Sequence, residues 1–365
     1  MAMERHEVSN FGAGPAAMPT SVLEKAQQEL LNFRGTGMSV MEISHRHAAY
    51  SEVQAEAESL VRELLRVPSN YRVLFLQGGA SLQFATVPMN LLNKHQTAAY
   101  VLTGSWSDKA MDEAKRYGEV RVAGSSKPDG YRYIPALSNL DINPNDAYVH
   151  LTSNNTIYGS QWNEFPDTGD VPLIADMSSD IMSRPFDIER FGLIYGGAQK
   201  NLGPAGVTLV IVRDDLVDRA NRDIPTMLRY DVHVKNDSRY NTPPTFGVYL
   251  LGLVLQWIKQ EGGVDGLAQR NEEKADVVYQ AIDKSSGFYQ GYVRPDSRSR
   301  MNVTFRLQNE SLEKAFLDGA KQAGMVGLGG HRSVGGCRAS LYNAVSISDC
   351  ERLVSFMNQF QANHA

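Results

Sequence analysis

The sequence predicts an α/β protein, and two observations carry this prediction. Short apolar strands recur along the chain without polar alternation, and helical segments separate them. Strands of this kind are typical of a sheet that helices cover on both faces. The length of 365 residues allows one large domain with a smaller companion, or two domains of ordinary size.

The composition is that of a soluble globular protein, with 42% apolar and 21% charged residues. The formal net charge of −5 argues against a general nucleic-acid binder. Cys337 and Cys350 are too few for a disulfide framework or a cysteine metal site. The first residues lack the apolar core of a signal peptide, and the longest apolar stretch, 246–258, is too short to cross a bilayer. We therefore expect a cytoplasmic protein without a membrane partner.

Helical periodicity opens the chain. Apolar residues at helical spacing predict helices over 21–31 and 50–65. A strand over 73–76 then leads through two glycines into a helix over about 82–92. Further strands are predicted over 98–102, 148–151, 173–175, 193–195 and 207–211. We expect these strands to belong to the sheet of the larger domain.

A buried helix over 246–258 closes this series, and Gly262 and Gly263 interrupt the chain after it. The elements beyond them alternate between helix and strand and are predicted over 264–284, 302–306, 312–323, 337–341 and from 348 onward. They predict a second α/β unit of roughly one hundred residues. The chain is accordingly divided into an extended segment over 1–18, a large domain over 19–260 and a small domain over 261–365. The first segment is expected to contribute to the functional site and to the small domain.

One lysine lies among apolar and glycine residues. Lys200 follows a short apolar strand and Gly196-Gly197, and another apolar strand comes after it. Because removing the hydration of an ammonium is costly, this position lowers the pKa of the lysine and exposes a neutral, nucleophilic amine. Asp176 ends the upstream strand, and a buried lysine and aspartate at successive strand ends are what a pyridoxal phosphate enzyme requires. Taken singly, Lys200 could lie in a surface turn and Asp176 could cap a helix.

A glycine segment, Gly78-Gly79-Ala80-Ser81, joins a strand to a helix and predicts a phosphate cradle. Free N–H groups, the positive helix end and the Ser81 hydroxyl would face the anion. An ordinary glycine turn explains these residues equally well, and the lack of a following P-loop lysine disfavours a nucleoside triphosphate. The amino acids of segment 12–17 match a dinucleotide-binding pattern. Because no strand precedes this segment, we interpret it as an extended segment whose backbone approaches the site.

Three groups of basic side chains lie far apart in the sequence. They are His45-Arg46, His331-Arg332 and Arg338. Arginine suits carboxylates and phosphates, although scattered arginines usually lie on solvated surfaces. The histidines have no third ligand at a metal-binding spacing, so we expect no metal site.

Two further side chains follow strand ends. Trp106 could stack on a flat ring, although a tryptophan of the core explains it somewhat better. Thr156 could place its hydroxyl near a ligand. The tripeptide 154–156 also has the form of a glycosylation acceptor, which carries little weight without a secretory signal.

At these residues the chain resembles the phosphoserine aminotransferase family, which are class-V aminotransferases of the fold type I superfamily of pyridoxal phosphate enzymes. The resemblance runs essentially from end to end and rests on the strings at residues 10–16, 44–46, 77–81, 175–179, 197–201, 241–246 and 338–344. The last two strings are the most specific. The resemblance implies an aspartate-aminotransferase-like fold, with a mainly parallel seven-stranded sheet in the large domain and a smaller C-terminal α/β domain.

The resemblance also implies a role for each matching residue. Lys200 would be the catalytic lysine that holds pyridoxal 5′-phosphate as a covalent aldimine, and Asp176 would be the catalytic partner of the ring nitrogen. The other implied cofactor contacts are Ala80, Ser81, Trp106, Thr156, Gln199, Asn241 and Thr242, the last two from the neighbouring subunit of a homodimer with shared active sites. The implied substrate contacts are Arg338 for the α-carboxylate, and His45, Arg46, His331 and Arg332 for the phosphate or side-chain carboxylate.

The implied reaction transfers an amino group between L-glutamate and 3-phosphohydroxypyruvate and gives O-phospho-L-serine, a step of L-serine biosynthesis. Use of 4-phosphohydroxythreonine, in vitamin B6 synthesis, stays open. Three other interpretations also stay open: a different fold type I aminotransferase such as a serine–pyruvate or alanine–glyoxylate enzyme, a nucleotide-dependent oxidoreductase built on segment 12–17, and a binding protein without a cofactor.

Overall fold

The computed structural model of the protein describes residues 3–364. The strands, numbered along the chain, are β1 (Ser9–Asn10), β2 (Tyr71–Leu76), β3 (Thr97–Leu102), β4 (Glu119–Ser125), β5 (Val149–Thr152), β6 (Asn154–Asn155), β7 (Ser160–Gln161), β8 (Leu173–Asp176), β9 (Leu193–Gly197), β10 (Thr208–Arg213), β11 (Gln290–Gly291), β12 (Asn302–Arg306), β13 (Met325–Val326) and β14 (Cys337–Ser340). The helices are α1 (Thr20–Glu29), α2 (Ala48–Leu65), α3 (Gly79–Leu91), α4 (Ser105–Ala114), α5 (Asp214–Asp218), α6 (Tyr230–Lys235), α7 (Thr245–Gln260), α8 (Gly263–Asp283), α9 (Glu310–Gln322) and α10 (Ile347–His364). Within the described residues, no helix combines the length and apolar character needed to cross a membrane.

A seven-stranded sheet lies at the centre of the larger part of the molecule, with the strand order β2-β10-β9-β8-β5-β3-β4. β10 runs antiparallel to both of its neighbours, and every other neighbouring pair is parallel. The carboxyl ends of β2, β3, β5, β8 and β9 therefore meet at one edge of the sheet, where ligands bind in open α/β sheets. This architecture confirms the predicted fold and its mainly parallel sheet of seven strands.

The middle and the edge of this sheet differ in burial. Every residue of β5, β8 and β9 is buried, which explains their apolar runs without alternation. β4 is an edge strand in which Val122 is 45% exposed and Ala123 is the one fully buried residue. Because such a strand has no continuous apolar run, the sequence does not predict β4. The helix before it, α4, is not predicted either.

The C-terminal part has its own sheet and core. β11, β12 and β14 form an antiparallel sheet, and β1 pairs with β13 in parallel. Apolar side chains of α8, α9, α10 and β12 pack into a core that includes Phe11 and is separate from the cores around the larger sheet. The N-terminal segment is thus attached to the C-terminal unit. The domain limits at residues 18 and 260 stay a prediction. Val264 and Leu267, at the start of α8, still pack into a core of the larger sheet.

The start of α3 matters for the site. Gly78 has a φ of 90°, and a Cβ atom there would lie 2.4 Å from Leu82, so the backbone and the packing both require glycine. α3 begins directly afterwards, at Gly79, three residues earlier than the sequence predicts. Ala80 and Ser81 therefore belong to the first helical turn, whose N–H groups have no partners within a helix.

Candidate active site

A cavity of about 580 Å³ opens at the carboxyl edge of the seven-stranded sheet. Elements distant in sequence contribute to its wall: the N-terminal segment, α3, α4, the ends of β5 and β8, the segment after β9, and β14 of the C-terminal sheet. The predicted site residues that line it are Ala80, Ser81, Trp106, Thr156, Asp176, Gln199, Lys200, His331 and Arg338. The fold thus brings together most of the residues that sequence analysis singled out.

Lys200 lies three residues beyond the end of β9, and its side chain is half-buried in the cavity wall. Its Nζ donates a hydrogen bond of 2.7 Å to Oγ1 of Thr156. Burial lowers the pKa of Lys200 to about 8, with Asp176 opposing this shift and Arg338 adding to it. A pKa of about 8 leaves roughly one tenth of the amine neutral at pH 7. The expected lowering of the lysine pKa is found, but the amine is still mostly protonated at neutral pH.

The N-terminal segment packs directly against this lysine. A Cβ atom at Gly14 would lie 3.4 Å from Cγ of Lys200, at a backbone φ of 134° that favours glycine. The N–H of Ala16 donates to the carbonyl of Gln199 at 2.9 Å, and Tyr342 Oη donates to the carbonyl of Ala13 at 3.0 Å. The segment interpreted as approaching the site does so through its backbone.

Asp176 ends β8 and is buried, with 4% of its surface exposed. Its Oδ1 accepts hydrogen bonds from the N–H of Ser178 at 3.0 Å and from the Ser178 hydroxyl at 2.6 Å. The same hydroxyl accepts a bond of 3.1 Å from the N–H of Gly197, at the end of β9. Burial raises the pKa of Asp176, while Ser178 and Lys200 act in the opposite direction. Within the described residues, these bonds fall on Oδ1 and leave Oδ2 without a protein donor.

Ser178 is a site residue whose role sequence analysis did not assign. The available signal was its spacing, because an aspartate accepts readily from the backbone N–H two residues later. The serine fixes the orientation of the carboxylate and joins the ends of two neighbouring strands.

The first turn of α3 faces the same cavity as Lys200. Gly78, Gly79, Ala80 and Ser81 all line it. The partner-free N–H groups and the positive end of the helix therefore point to a region that can hold an anion. The phosphate cradle stays a prediction, which the position of this segment at the cavity supports.

Trp106 lies in the first turn of α4 and forms another part of the wall. Its ring packs 6.4 Å from the ring of Phe84, and Nζ of Lys109 lies 4.6 Å from the indole centroid. Nε1 of Trp106 is buried without a hydrogen-bond partner among the described residues. The indole is therefore a flat, half-buried surface at the cavity.

Arg338 reaches the cavity from β14 of the C-terminal sheet. Its Nη1 donates to the carbonyl of Thr156 at 3.1 Å, while its buried Nε has no partner among residues 3–364. Burial lowers the pKa of this guanidinium. Thr156 therefore holds both cationic side chains, Lys200 through its hydroxyl and Arg338 through its carbonyl.

Five predicted site residues do not line this cavity: His45, Arg46, Asn241, Thr242 and Arg332. His45 is buried, and its pKa is lowered by burial and by the nearby cations Arg46 and Arg239. The carbonyl of Thr242 accepts a bond of 3.2 Å from Nε2 of Gln77. Arg332 follows cavity-lining His331 in the chain and is itself exposed. The structure of one chain therefore leaves the roles of these five residues as predictions.

Comparison with known proteins identifies the family to which the chain belongs. A sequence model described as Aminotransferase class-V matches residues 8–353. The phosphoserine aminotransferase of Lysinibacillus sphaericus (strain C3-41) is 61% identical over 97% of this chain and 98% of its own length. The chain belongs to the class-V aminotransferases, in the phosphoserine aminotransferase family.

Solved structures of this family have the same fold. The phosphoserine aminotransferase from Bacillus circulans subsp. alkalophilus superposes with a TM-score of 0.97 at 57% identity, over 98% of this chain and 99% of the other. The enzyme from Trichomonas vaginalis, solved with PLP bound, superposes with a TM-score of 0.91 at 39% identity, over 96% and 99% of the two chains. The resemblance inferred from the sequence strings is thereby confirmed.

Proposed function

We propose that this class-V aminotransferase is a pyridoxal-phosphate-dependent transaminase that moves an amino group from L-glutamate to 3-phosphohydroxypyruvate. The products are 2-oxoglutarate and O-phospho-L-serine, which makes this a cytoplasmic step of L-serine biosynthesis. One observation carries the proposal: the amine of Lys200 and the carboxylate of Asp176 open into one cavity together with the first turn of α3. The family membership supports the same reaction.

The residues of the cavity fit pyridoxal 5′-phosphate. The first turn of α3, with Ser81, suits the phosphate, and Trp106 offers a flat surface for the ring. Oδ2 of Asp176 has no donor within residues 3–364 and would accept from the ring nitrogen. When bound, this cofactor supplies an aldehyde that takes up the amino group and a ring that accepts electrons from the substrate.

Lys200 supplies the amine that attaches the cofactor, and it then serves as the general base. Its low pKa would allow Nζ to take the proton from Cα of the amino donor and, in the second half of the reaction, to give a proton to the carbonyl carbon of the oxo acid. Thr156 holds Nζ in place through the bond of 2.7 Å. Because Thr156 also accepts a hydrogen bond from Arg338, it fixes the position of Nζ of Lys200 relative to the guanidinium that binds the carboxylate.

Asp176 keeps a proton on the ring nitrogen. In the protein alone, burial raises the pKa of this carboxyl, because a lone buried negative charge is unfavourable. A positively charged ring nitrogen beside Oδ2 would favour the ionised carboxylate and so act against this shift. The two bonds from Ser178 favour the ionised form as well.

Substrate anions are assigned to cationic side chains. Arg338, whose Nε has no partner among the described residues, binds the α-carboxylate that both substrates carry. His331 lies at the cavity wall, and with Arg332 it receives the distal carboxylate or phosphate. Use of 4-phosphohydroxythreonine would need the same two anion sites.

The remaining residues act in the cavity of a partner subunit of a homodimer. Asn241 and Thr242 lie outside their own cavity, and His45 is close to Arg239 in the same region. Exposed apolar side chains occur in both segments, with Met41 55% exposed and Tyr240 46% exposed. We assign Asn241 and Thr242 to the cofactor phosphate, and His45 and Arg46 to the substrate, of the neighbouring site.

An absorbance spectrum and a panel of oxo acids test the reaction. The pure protein should absorb in the visible region, and glutamate should remove that band by taking the amino group onto the cofactor. 3-Phosphohydroxypyruvate should then restore the band at a higher kcat/KM than pyruvate or glyoxylate. A preference for glyoxylate would favour an alanine–glyoxylate enzyme, and a colourless protein that binds NADH would favour an oxidoreductase.

Mixed dimers test the shared site. Lys200→Ala protomers and Asn241→Ala/Thr242→Ala protomers should each have low activity, and mixing them after separate purification should restore part of it. Restoration arises because one cavity of the mixed dimer combines an intact Lys200 with an intact Asn241-Thr242 segment. If differently tagged protomers co-purify but activity stays low, the assignment to the partner is wrong.

A further inference from the structure

The loop at residues 329–336 carries His331 and Arg332. Its own backbone bonds close it, from the N–H of Gly330 to the carbonyl of Gly336 at 2.9 Å and from the N–H groups of Val334 and Gly335 to the carbonyl of His331 at 2.9 and 2.8 Å. Glycine occupies four of its eight positions, and Gly335 and Gly336 have φ values of 72° and 70°. Glycine brings no side chain to pack and leaves the backbone the most freedom. Within the loop, His331 Nδ1 contacts the Ser333 hydroxyl at 2.7 Å.

Arg306 provides the one side-chain hydrogen bond that reaches this loop from outside, among bonds between residues 3–364. Its Nη1 donates to the carbonyl of Val334 at 3.0 Å. Its stem also lies against the loop, since a Cβ atom at Gly336 would come within 2.5 Å of Cδ of Arg306. A small gap is lined by Ile157, Arg306 and Val334, next to this bond.

Glu313 fixes the arginine in turn. Its Oε1 accepts from Nε of Arg306 at 2.6 Å and from the N–H of Leu307 at 3.2 Å. Glu313 lies on α9 and is 6% exposed, so its carboxylate is held rigidly by the fold. The guanidinium is therefore oriented at one end by α9 and donates at its other end to the loop.

We propose that Arg306, oriented by Glu313, is a positioning residue that sets the 329–336 loop for binding of the substrate's distal anion by His331 and Arg332. The inference rests on the proposed function and deepens it, because it names what determines the preference for a phosphorylated substrate. Arg306 itself touches neither the cavity nor the reacting atoms.

The test compares two amino donors in the first half of the reaction, in which the donor passes its amino group to the cofactor. The change in cofactor absorbance measures the rate. O-Phospho-L-serine carries a distal phosphate, and L-alanine has no distal anion. Arg306→Met should lower the ratio of kcat/KM for O-phospho-L-serine to kcat/KM for L-alanine about tenfold, as expected when a charged contact is lost. The change should come from a higher KM for the phosphorylated donor. Arg306→Lys and Glu313→Gln keep part of the arrangement and should lower the ratio less.

Arg300→Met is the matched control, because Arg300 pairs with Glu272 on the surface of the same unit and does not contact the loop. Its ratio should equal that of the unchanged protein. Trypsin cleavage after Arg332 gives a second measure, and it should be faster in Arg306→Met than in Arg300→Met.

An unchanged ratio, or an equal loss with both donors, would overturn the inference. If Arg306→Met does not fold, the same decision is made with Arg306→Lys and Glu313→Gln. A failure of the proposed function is recognised separately, because the unchanged protein would then show no preference for O-phospho-L-serine. In that case the cleavage rate at Arg332 still decides whether Arg306 holds the loop.

Discussion

Two lysines of this protein, Lys200 and Lys274, have a pKa lowered to about 8 by burial, yet their surroundings differ. Lys274 lies on α8 and is 2% exposed. Its Nζ donates to the carbonyls of Leu341, Tyr342 and Val345 at 3.1, 2.9 and 2.9 Å. Lys200 instead donates to one threonine hydroxyl and faces a cavity.

This difference shows that a lowered lysine pKa does not by itself identify a catalytic group. The three protons of the Lys274 ammonium are all used, and nothing from solution can reach them. Lys274 thus fixes the turn that follows β14, the strand of Arg338. Lys200 keeps unused bonding capacity, has access to a ligand, and lies near the carboxylate of Asp176.

Lys200→Ala is the strongest test of the difference between the two lysines. We expect the visible absorbance to disappear and turnover to fall by at least about 10⁴-fold, since both the attachment of the cofactor and the general base are lost. Far-ultraviolet circular dichroism should show an unchanged fold. If the variant kept normal turnover, Lys200 would be no more catalytic than Lys274.

Asp176→Asn tests the other half of the site. The variant should keep its colour, because Lys200 is intact, but kcat should fall by about 10²–10⁴-fold, since a neutral amide cannot hold the proton on the ring nitrogen. Asp180→Asn is the matched control: Asp180 is also buried and accepts from Gln161 at 3.1 Å, but it does not line the cavity. Equal losses of kcat in both variants would remove the special role of Asp176.

The sequence predicts one of these two lysines of lowered pKa and not the other, for a physical reason. Lys200 follows an apolar strand, so its burial is visible in local sequence. Lys274 occurs in a helix whose mean composition is polar, and its burial depends on the turn at 341–345, far along the chain. Local patterning therefore gave the buried strands and the Lys200–Asp176 pair, whereas edge strand β4, the Ser178 contacts and the surroundings of Arg338 depend on tertiary contacts.

Lys274→Met should affect stability instead of chemistry. Three buried carbonyls would lose a charged donor, and we expect the free energy of unfolding to fall by about 2–5 kcal/mol. Urea denaturation measures this change, and the folded variant should keep its visible absorbance and most of its kcat. Lys284→Met, at the exposed end of the same helix, should cost no more than about 0.5 kcal/mol.

The pH dependence of chemical labelling separates the two lysines without any substitution. In the cofactor-free protein, the amine of Lys200 loses its proton as the pH rises through about 8, instead of the ordinary 10.5. Its neutral fraction should rise from roughly one tenth at pH 7 to nine tenths at pH 9, so reductive methylation with formaldehyde should become about tenfold faster. Lys274, which has a similarly lowered pKa, should stay unlabelled at both pH values because it has no access to the reagent. Peptide mapping by mass spectrometry follows both sites, and unfolding in urea should make both react as ordinary lysines. Equal labelling of the two lysines in the folded protein would mean that access to the cavity does not distinguish Lys200 from Lys274. Its proximity to Asp176 would then be the one remaining difference between them.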